Sequence, residues 1–426
     1  MKTILLSALL IGVATLSFAQ KPENQVVAGI PVNYEEAKVG VYDLPALLTT
    51  AQNESVSHED WKNRRLEILR LFEEKQFGKM PEAPAEIRYH IIEEGGLAFG
   101  GTALRKQINV FLSDGTQPQV MKLLVYLPAK AKTPSPVLFH ISFNDNSITS
   151  GDTAIAPGMV WTKEGALVKA TTGFDKVDVR KFIKEGFGVA LVYYGDIEPD
   201  FKQGFKYGIR SKYLKGKNYP ESDEWGAISA WAWGLSRAMD YFEKDKDIDA
   251  GRVALQGGSR LGKTVLWAGA HDQRFAMVIS SCSGEGGAAL SRRNYGETVA
   301  HITDTSRYFY QFCPNYHQVG KNLARSPIDA HMLIALMAPR PLLLQTGDTD
   351  YWSDPKGEFL AALAAEPVYR LFGKSGPQSN QMPEAGDTSL LNTLGYYMHA
   401  GGHGTVPSDW DVYMQYLKKF LWKQPK

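Results

Sequence analysis

The pattern of apolar and polar positions divides the chain into three stretches. Behind Lys2, an apolar run from Ile4 to Val13 ends in small residues and Ser17-Phe18-Ala19. A charged start, a short apolar stretch and a small-x-small ending predict a secretory leader over residues 1–19, cleaved after Ala19. The run is too short, and wrongly flanked, for a membrane span. Residues 20–55 show no period and predict an irregular polar arm wrapping the core. At Ser57 a helix begins: Ser57 can cap it, Asp60 stands where a capping-box acid stands, and Trp61, Leu66, Ile68, Leu69 and Phe72 form its apolar stripe, with Gly78 as the stop. Residues 87–112 alternate as strands, and Lys122–Leu127 is another.

From Pro136 onward short apolar runs alternate with helical segments. The runs are Val137–Ile141, Val189–Tyr194, Val253–Gln256, Ala276–Ser280 and Pro341–Gln345. Between them lie a helix from Val179 to Glu185 and a Trp-rich helix through Trp225, Ile228, Trp231, Leu235 and Met239. Strands buried on both faces and separated by helices predict a mostly parallel sheet inside a three-layer α/β sandwich, with an antiparallel edge supplied by the earlier strands. Gly/Pro-rich stretches at 144–175 and 373–390 read as surface loops. No repeat or low-complexity linker interrupts residues 20–426, which read as one domain.

Composition narrows the function. The 47 Lys and Arg nearly balance 46 Asp and Glu, and no basic block stands out, which argues against nucleic acid or an anionic membrane as the main partner. The two cysteines, Cys282 and Cys313, permit one disulfide in an oxidising compartment but make no disulfide scaffold. The abundant Trp and Tyr could stack on sugar rings, although most belong to the core.

Gly257-Gly258-Ser259-Arg260-Leu261-Gly262-Lys263-Thr264 carries two chemistries. It spells the phosphate-cradling G-x-x-x-x-G-K-[ST], and it also reads as a strand-turn-helix with a serine at its apex. The leader sends the chain to a compartment poor in ATP and GTP. The strand Ala276–Ser280 ends in serines, not in an aspartate that would hold Mg²⁺. Both points favour Ser259 as a nucleophile over the P-loop, although a plain helix-capping serine fits the same spot. The turn departs from G-x-S-x-G, since its second glycine is Gly262 and position 261 holds leucine. Of nine histidines, His403 lies late in a glycine-rich loop, Ala400–Thr405, suited to deliver an imidazole to the serine; His399 is the competitor. For the acid, Asp350 leads because it follows strand Pro341–Gln345. Asp348 and Glu285 are the alternatives, and Asp348 equally suits an Asx-turn.

The elbow resembles the G-C-S-R-x-G-K motif of the glucuronoyl esterases, carbohydrate esterase family 15. The resemblance extends to Trp61-Lys62-Asn63-Arg64-Arg65, Ser283-Gly284-Glu285-Gly286-Gly287, Trp352-Ser353-Asp354-Pro355 and Gly402-His403-Gly404. It implies an α/β-hydrolase that uses no metal or cofactor and cleaves 4-O-methyl-glucuronoyl esters joining xylan to lignin alcohols, through an acyl-enzyme. It further implies Ser259 as nucleophile, His403 as base, Arg260 as oxyanion stabiliser, and Lys263, Glu297 and Trp352 as sugar contacts. Without it, Lys263 reads as a solvated helix charge, Trp352 as packing and Glu297 as half of an ion pair. Two positions depart from the family pattern. Cys282 stands where many members carry a catalytic glutamate, and Gly258 replaces the elbow cysteine; Asp350 fits a bacterial variant that draws its acid from the following strand. The expectation is a secreted or periplasmic, monomeric serine esterase acting on glucuronoxylan or lignin-carbohydrate esters. An acetyl-xylan esterase or a weakly catalytic uronate-binding protein is the alternative.

Overall fold

Nine strands pair into one sheet: β1 (Arg88–Ala98), β2 (Ala103–Phe111), β3 (Val120–Pro128), β4 (Ser135–Ser142), β5 (Gly188–Tyr193), β6 (Ile248–Gly258), β7 (Met277–Ser281), β8 (Leu342–Gly347) and β9 (Leu394–His399). The protein is seen here in a computed structural model that describes residues 25–50, 52–84, 86–114, 117–214 and 222–422; the leader expected over 1–19 lies outside them. The spatial order is β9-β8-β7-β6-β4-β5-β3-β2-β1. Neighbours from β9 through β5 are parallel, and β1, β2 and β3 form the antiparallel edge.

The strands β4, β5, β7, β8 and β9 are buried along their whole length, which is why the first four read as nearly continuous apolar runs rather than alternating ones. Successive side chains feed opposite faces. Phe139, Leu255 and Leu344 join the core beneath α1 (Trp61–Phe72), α3 (Ala227–Phe242), α4 (Arg260–His271) and α5 (Pro355–Leu371). Leu138, Ala254 and Leu343 join the core beneath α2 (Val179–Lys184) and α6 (Asp409–Leu421). This is the three-layer α/β-hydrolase sandwich that the sequence predicts. The connection after β4 runs to β5, whereas the one after β6 leads away on the other side. A crevice therefore opens above the carboxyl ends of β4 and β6, the usual site for ligands in such sheets.

Several elements differ from expectation. Strand β9 has no counterpart in the predicted set, because Gly395 interrupts a six-residue stretch and no apolar run announces it. The stretch 144–175 is more than a loop: it contains a turn of helix, Asn146–Ser150, and a hairpin of Met159–Trp161 with Leu167–Lys169. Leu66, placed in the apolar stripe of α1, is exposed, while Trp61, Ile68 and Phe72 are buried. The reciprocal bonds expected at the start of α1 form, Ser57 Oγ accepting from the Asp60 N–H and the Asp60 carboxylate accepting from the Ser57 N–H and hydroxyl, but residues 58–60 are a turn and the helix itself starts at Trp61 rather than at Ser57. Cys282 and Cys313 are both buried and free, so the permitted disulfide is not formed.

Candidate active site

Only Ser259 separates the end of β6 from the start of α4. Its backbone sits at φ 57°, ψ −127°, a region that side chains other than glycine rarely adopt. Such strain costs on the order of 1–3 kcal/mol and persists where surrounding contacts over-determine it. Here the Ser259 N–H donates to the Ser281 carbonyl at 2.8 Å. The flanking glycines let the turn approach its neighbours: a Cβ at Gly257 would stand 2.6 Å from the Leu261 oxygen, and one at Gly262 would stand 2.7 Å from the Ser281 oxygen. Gly262 therefore performs the packing task that G-x-S-x-G assigns to the preceding position, where Leu261 is instead fully buried core. A one-residue turn cannot wrap a phosphate, and Lys263 lies inside the first turn of α4 with its side chain buried. The P-loop reading fails on that geometry. Ser259 makes no side-chain capping bond to α4, so the plain helix-cap reading fails as well.

The loop after β9 carries His403 back over the sheet. Close approach requires glycine at position 347, where a Cβ would stand 2.2 Å from the Gly402 oxygen. His399 is buried and fixes this loop, bonding Asp409 through Nδ1 and the Gly402 carbonyl through Nε2, both at 3.0 Å. Asp348 braces the same loop by accepting from the Gly401 N–H at 2.8 Å. Asp350, just beyond β8 and buried, bonds His403 Nδ1 at 2.7 Å. Ser353 Oγ lies 3.2 Å from the same nitrogen. His403 is 44 % exposed, and Ser259 and His403 line the same two adjoining cavities.

Glu285, the other alternative for the acid, is placed elsewhere. Its Oε1 accepts from Ser291 Oγ at 2.6 Å, the Gly286 N–H at 2.8 Å and the Tyr316 hydroxyl at 3.2 Å. Burial pushes its carboxyl up to about 8, with nearby Asp329 adding to the rise against the Ser291 bond. Because the folded state holds this proton more tightly than the unfolded chain, the associated stability is full below the ordinary carboxyl value. It is lost as pH rises towards about 8. In Glu285→Gln the carbonyl oxygen keeps the three accepted bonds and the amide replaces the bound proton. The expected result is a thermal midpoint that gains on the wild type as pH is raised from about 5 to about 8. Glu358 is also pushed up to about 8 by burial and retains its own share of the slope. A gap that shrinks with rising pH contradicts this account.

Arg260 opens α4 beside the serine, where the first backbone N–H groups of a helix lack intrahelical partners. Its guanidinium pairs with Asp200, which also accepts from the Tyr310 hydroxyl at 2.9 Å and the Gln311 amide at 2.8 Å. Burial opposes the Arg260 charge, but Asp200 together with Tyr194, Tyr308 and Tyr310 outweighs it and raises the value. Lys263 is buried; desolvation lowers its value against the pull of Glu297. Burial raises Glu297, opposed by Lys263 and Arg307, and Glu297 bonds Arg307 at 2.7 Å. Arg307 also lies over the Trp352 ring, 5.3 Å from its centroid. Lys263, Glu297, Trp352, Asp350 and Cys282 thus meet in one polar cavity of about 220 Å³. On the other side of Ser259 lies a cavity of about 480 Å³, walled by Phe143, Trp161, Phe174 and Tyr194.

Other residues that shape the site were not legible in advance. Asp200 and Arg307 belong to no motif, and Ser353, although inside the Trp352-Ser353-Asp354-Pro355 stretch, carried no expected role; their places in the site depend on distant segments converging. The arm does more than wrap the core. Glu36 bonds Arg293 at 3.0 and 2.9 Å, and buried Arg293 in turn bonds Asp354 at 2.8 Å, at the start of α5. Tyr34 and Val39 pack with Tyr295 against Tyr351 and Trp352. The arm therefore ties the segment carrying Glu297 to the segment carrying Trp352.

The sandwich with a strained serine between strand and helix defines an α/β-hydrolase. Comparison with known proteins gives the family. A family model described as "Glucuronyl esterase, fungi" matches residues 188–373. A carbohydrate esterase of an unknown prokaryotic organism is 42% identical over 397 residues, 90% of this chain and 91% of its own. A glucuronoyl esterase structure from Solibacter usitatus superposes with a TM-score of 0.85 at 42% identity, covering 90% of this chain and 99% of that one. A promiscuous esterase of carbohydrate esterase family 15 from a marine bacterial metagenome gives 0.81 at 41% identity, covering 91% and 100%. The chain belongs to the glucuronoyl esterases, carbohydrate esterase family 15, and is an esterase.

Proposed function

We propose that the protein cleaves esters of 4-O-methyl-glucuronic acid, such as those joining glucuronoxylan to lignin alcohols, by a serine acyl-enzyme route. The observation that carries this reading is the pairing of a strained Ser259 with an Asp350-held His403 at the junction of two unlike cavities. His403 Nδ1 is engaged by Asp350, which leaves Nε2 to take the Ser259 proton as the hydroxyl attacks the ester carbonyl. The helix start at Arg260 and its fixed guanidinium stabilise the oxyanion, since donors held in place before reaction pay no reorganisation as charge develops. The alcohol leaves with the proton from His403, and water then releases the acid by the same steps in reverse.

The polar cavity suits the uronate ring, with Lys263 and Glu297 facing sugar hydroxyls and Trp352 under a ring face. The aromatic cavity suits an aromatic alcohol. A fungal relative, 26% identical over 419 residues, is a 4-O-methyl-glucuronoyl methylesterase of Neurospora crassa, which supports the uronate assignment. The leader that the sequence predicts over residues 1–19 is the support for export ahead of a single catalytic domain. Among the described residues no helix is long and apolar enough to cross a membrane.

The test compares benzyl glucuronate with acetylated xylan. A site that bonds uronate hydroxyls is expected to give kcat/KM at least about 100-fold higher on the glucuronate. Equal or faster release of acetate selects an acetyl-xylan esterase, and binding of glucuronoxylan fragments without turnover selects a binding protein.

A further inference from the structure

We propose that Cys282, Asp350 and His403 form a site for a thiophilic divalent cation, zinc foremost, whose binding switches the serine off. The inhibitory consequence rests on the catalytic reading above, whereas the binding stands on the donor set alone. One ligand atom from each side chain, a sulfur, a carboxylate oxygen and a ring nitrogen, lie within 4.8 Å of one another. Tetrahedral zinc, with bonds of about 2.3 Å to sulfur and about 2.0 Å to nitrogen and oxygen, sets its ligand atoms roughly 3.3–3.6 Å apart. Closure therefore asks for a shift of about one ångström. All three residues line the polar cavity, which gives the ion an entry path and a water for the fourth position.

The thiol is held in place for this. Cys282 follows β7 at φ 46°, and its N–H donates to the Gln345 carbonyl at 2.6 Å. Its sulfur accepts from the Gly404 N–H and donates to the Gly404 carbonyl, both at 3.4 Å. The N–H contact survives deprotonation and supports a metal-bound thiolate, as outer-shell bonds do. A set with one sulfur and one imidazole nitrogen favours a thiophilic ion, so magnesium and calcium, which prefer oxygen ligands, do not compete.

On binding, the Cys282 S–H bond breaks, a metal–sulfur bond forms and the proton leaves to solvent. The ion takes the Nδ1 lone pair of His403, and the proton shared with Asp350 moves through solvent to Nε2. Asp350 exchanges its hydrogen bond for a bond to the ion. His403 then carries a proton on the nitrogen that must accept one from Ser259, and the hydroxyl stays unreactive.

The experiment strips the full chain with a chelator and titrates zinc while benzyl glucuronate turnover is followed. The expected result is inhibition reversed by chelator and not reproduced by magnesium. Cys282→Ser and Cys282→Ala, each measured against its own metal-free rate, need at least about 10-fold more zinc for half inhibition, since loss of even an outer-shell partner costs that much. In parallel, cobalt added to Ser259→Ala gives a sulfur-to-cobalt charge-transfer band in the near ultraviolet, and Cys282→Ser abolishes that band. Unchanged zinc sensitivity in both Cys282 variants, or a cobalt spectrum without the band, overturns the proposal. Metal-free wild type without esterase activity would instead overturn the catalytic reading, and the cobalt spectra would still decide the site.

Discussion

Ser259→Ala is expected to lower kcat on benzyl glucuronate by about 10⁴- to 10⁶-fold, the range seen when a serine hydrolase loses its nucleophile. The hydroxyl makes no capping bond to α4, so its removal leaves no donor unsatisfied in the helix. The backbone bond to Ser281 is independent of the side chain, and the residue keeps a Cβ at the same strained φ. The thermal midpoint is therefore expected to stay close to that of the wild type, whereas a true capping serine would cost roughly 0.5–2 kcal/mol on the same change. Binding of 4-O-methyl-glucuronic acid is expected to persist, because Lys263, Glu297 and Trp352 are untouched. Isothermal calorimetry with the acid and single-turnover assays with the ester separate these effects. Activity within tenfold of the wild type would eliminate the acyl-enzyme mechanism.

The layers of the fold were legible because burial on both faces leaves a mark that survives in one dimension. Val137–Ile141 and Pro341–Gln345 are apolar at every position but one each, His140 and Gln345, since each residue meets a helix layer whichever way it points. β9 gave no such mark. Gly395 and His399 are demanded by close packing and by the brace on the His403 loop, and they break its hydrophobic run. The hairpin at 159–169 is similarly silent, being short, half-exposed and rich in turn residues.

The site was legible in proportion to how local its geometry is. The elbow is fixed by a few neighbouring residues, so Gly257, Ser259 and Gly262 could be read together. Even the displaced glycine has a local cause, in the approach of α4 to the end of β7. His403 could be found from its glycine-rich loop. The acid could be ranked, with Asp350 ahead for following its strand, but not fixed, because Asp348, Asp350 and Glu285 differ in which way their loops turn. Asp348 faces the Gly401 N–H, Glu285 faces Ser291 and Tyr316, and Asp350 faces the imidazole. Arg307 over Trp352, Asp200 under Arg260 and the Glu36–Arg293–Asp354 chain depend on contacts between distant segments that no spacing in the sequence encodes.

Asp350→Asn is expected to lower kcat by about 10³- to 10⁴-fold with KM changed little, and Glu285→Gln, assayed beside it, by less than about tenfold. The carboxylate of Asp350 accepts from His403 Nδ1, so it fixes the proton there and stabilises the imidazolium that forms as Ser259 attacks. An asparagine amide presents a donor as readily as an acceptor. With its N–H₂ turned to the ring, it drives the proton to Nε2 and leaves the imidazole unable to act as base. Ser353 Oγ, 3.2 Å from Nδ1, can still accept the Nδ1 proton but carries no charge to offset the imidazolium, so it limits the loss without preventing it. Cys282 offers even less, since its thiol is neutral and bonded to Gly404. Glu285 has no path to the ring: its three accepted bonds persist in the amide. If the two variants exchanged ranks, with Glu285→Gln losing turnover and Asp350→Asn keeping it, the acid would have to come from the segment after β7. The observed pairing at 2.7 Å would then be a resting arrangement that substrate rearranges.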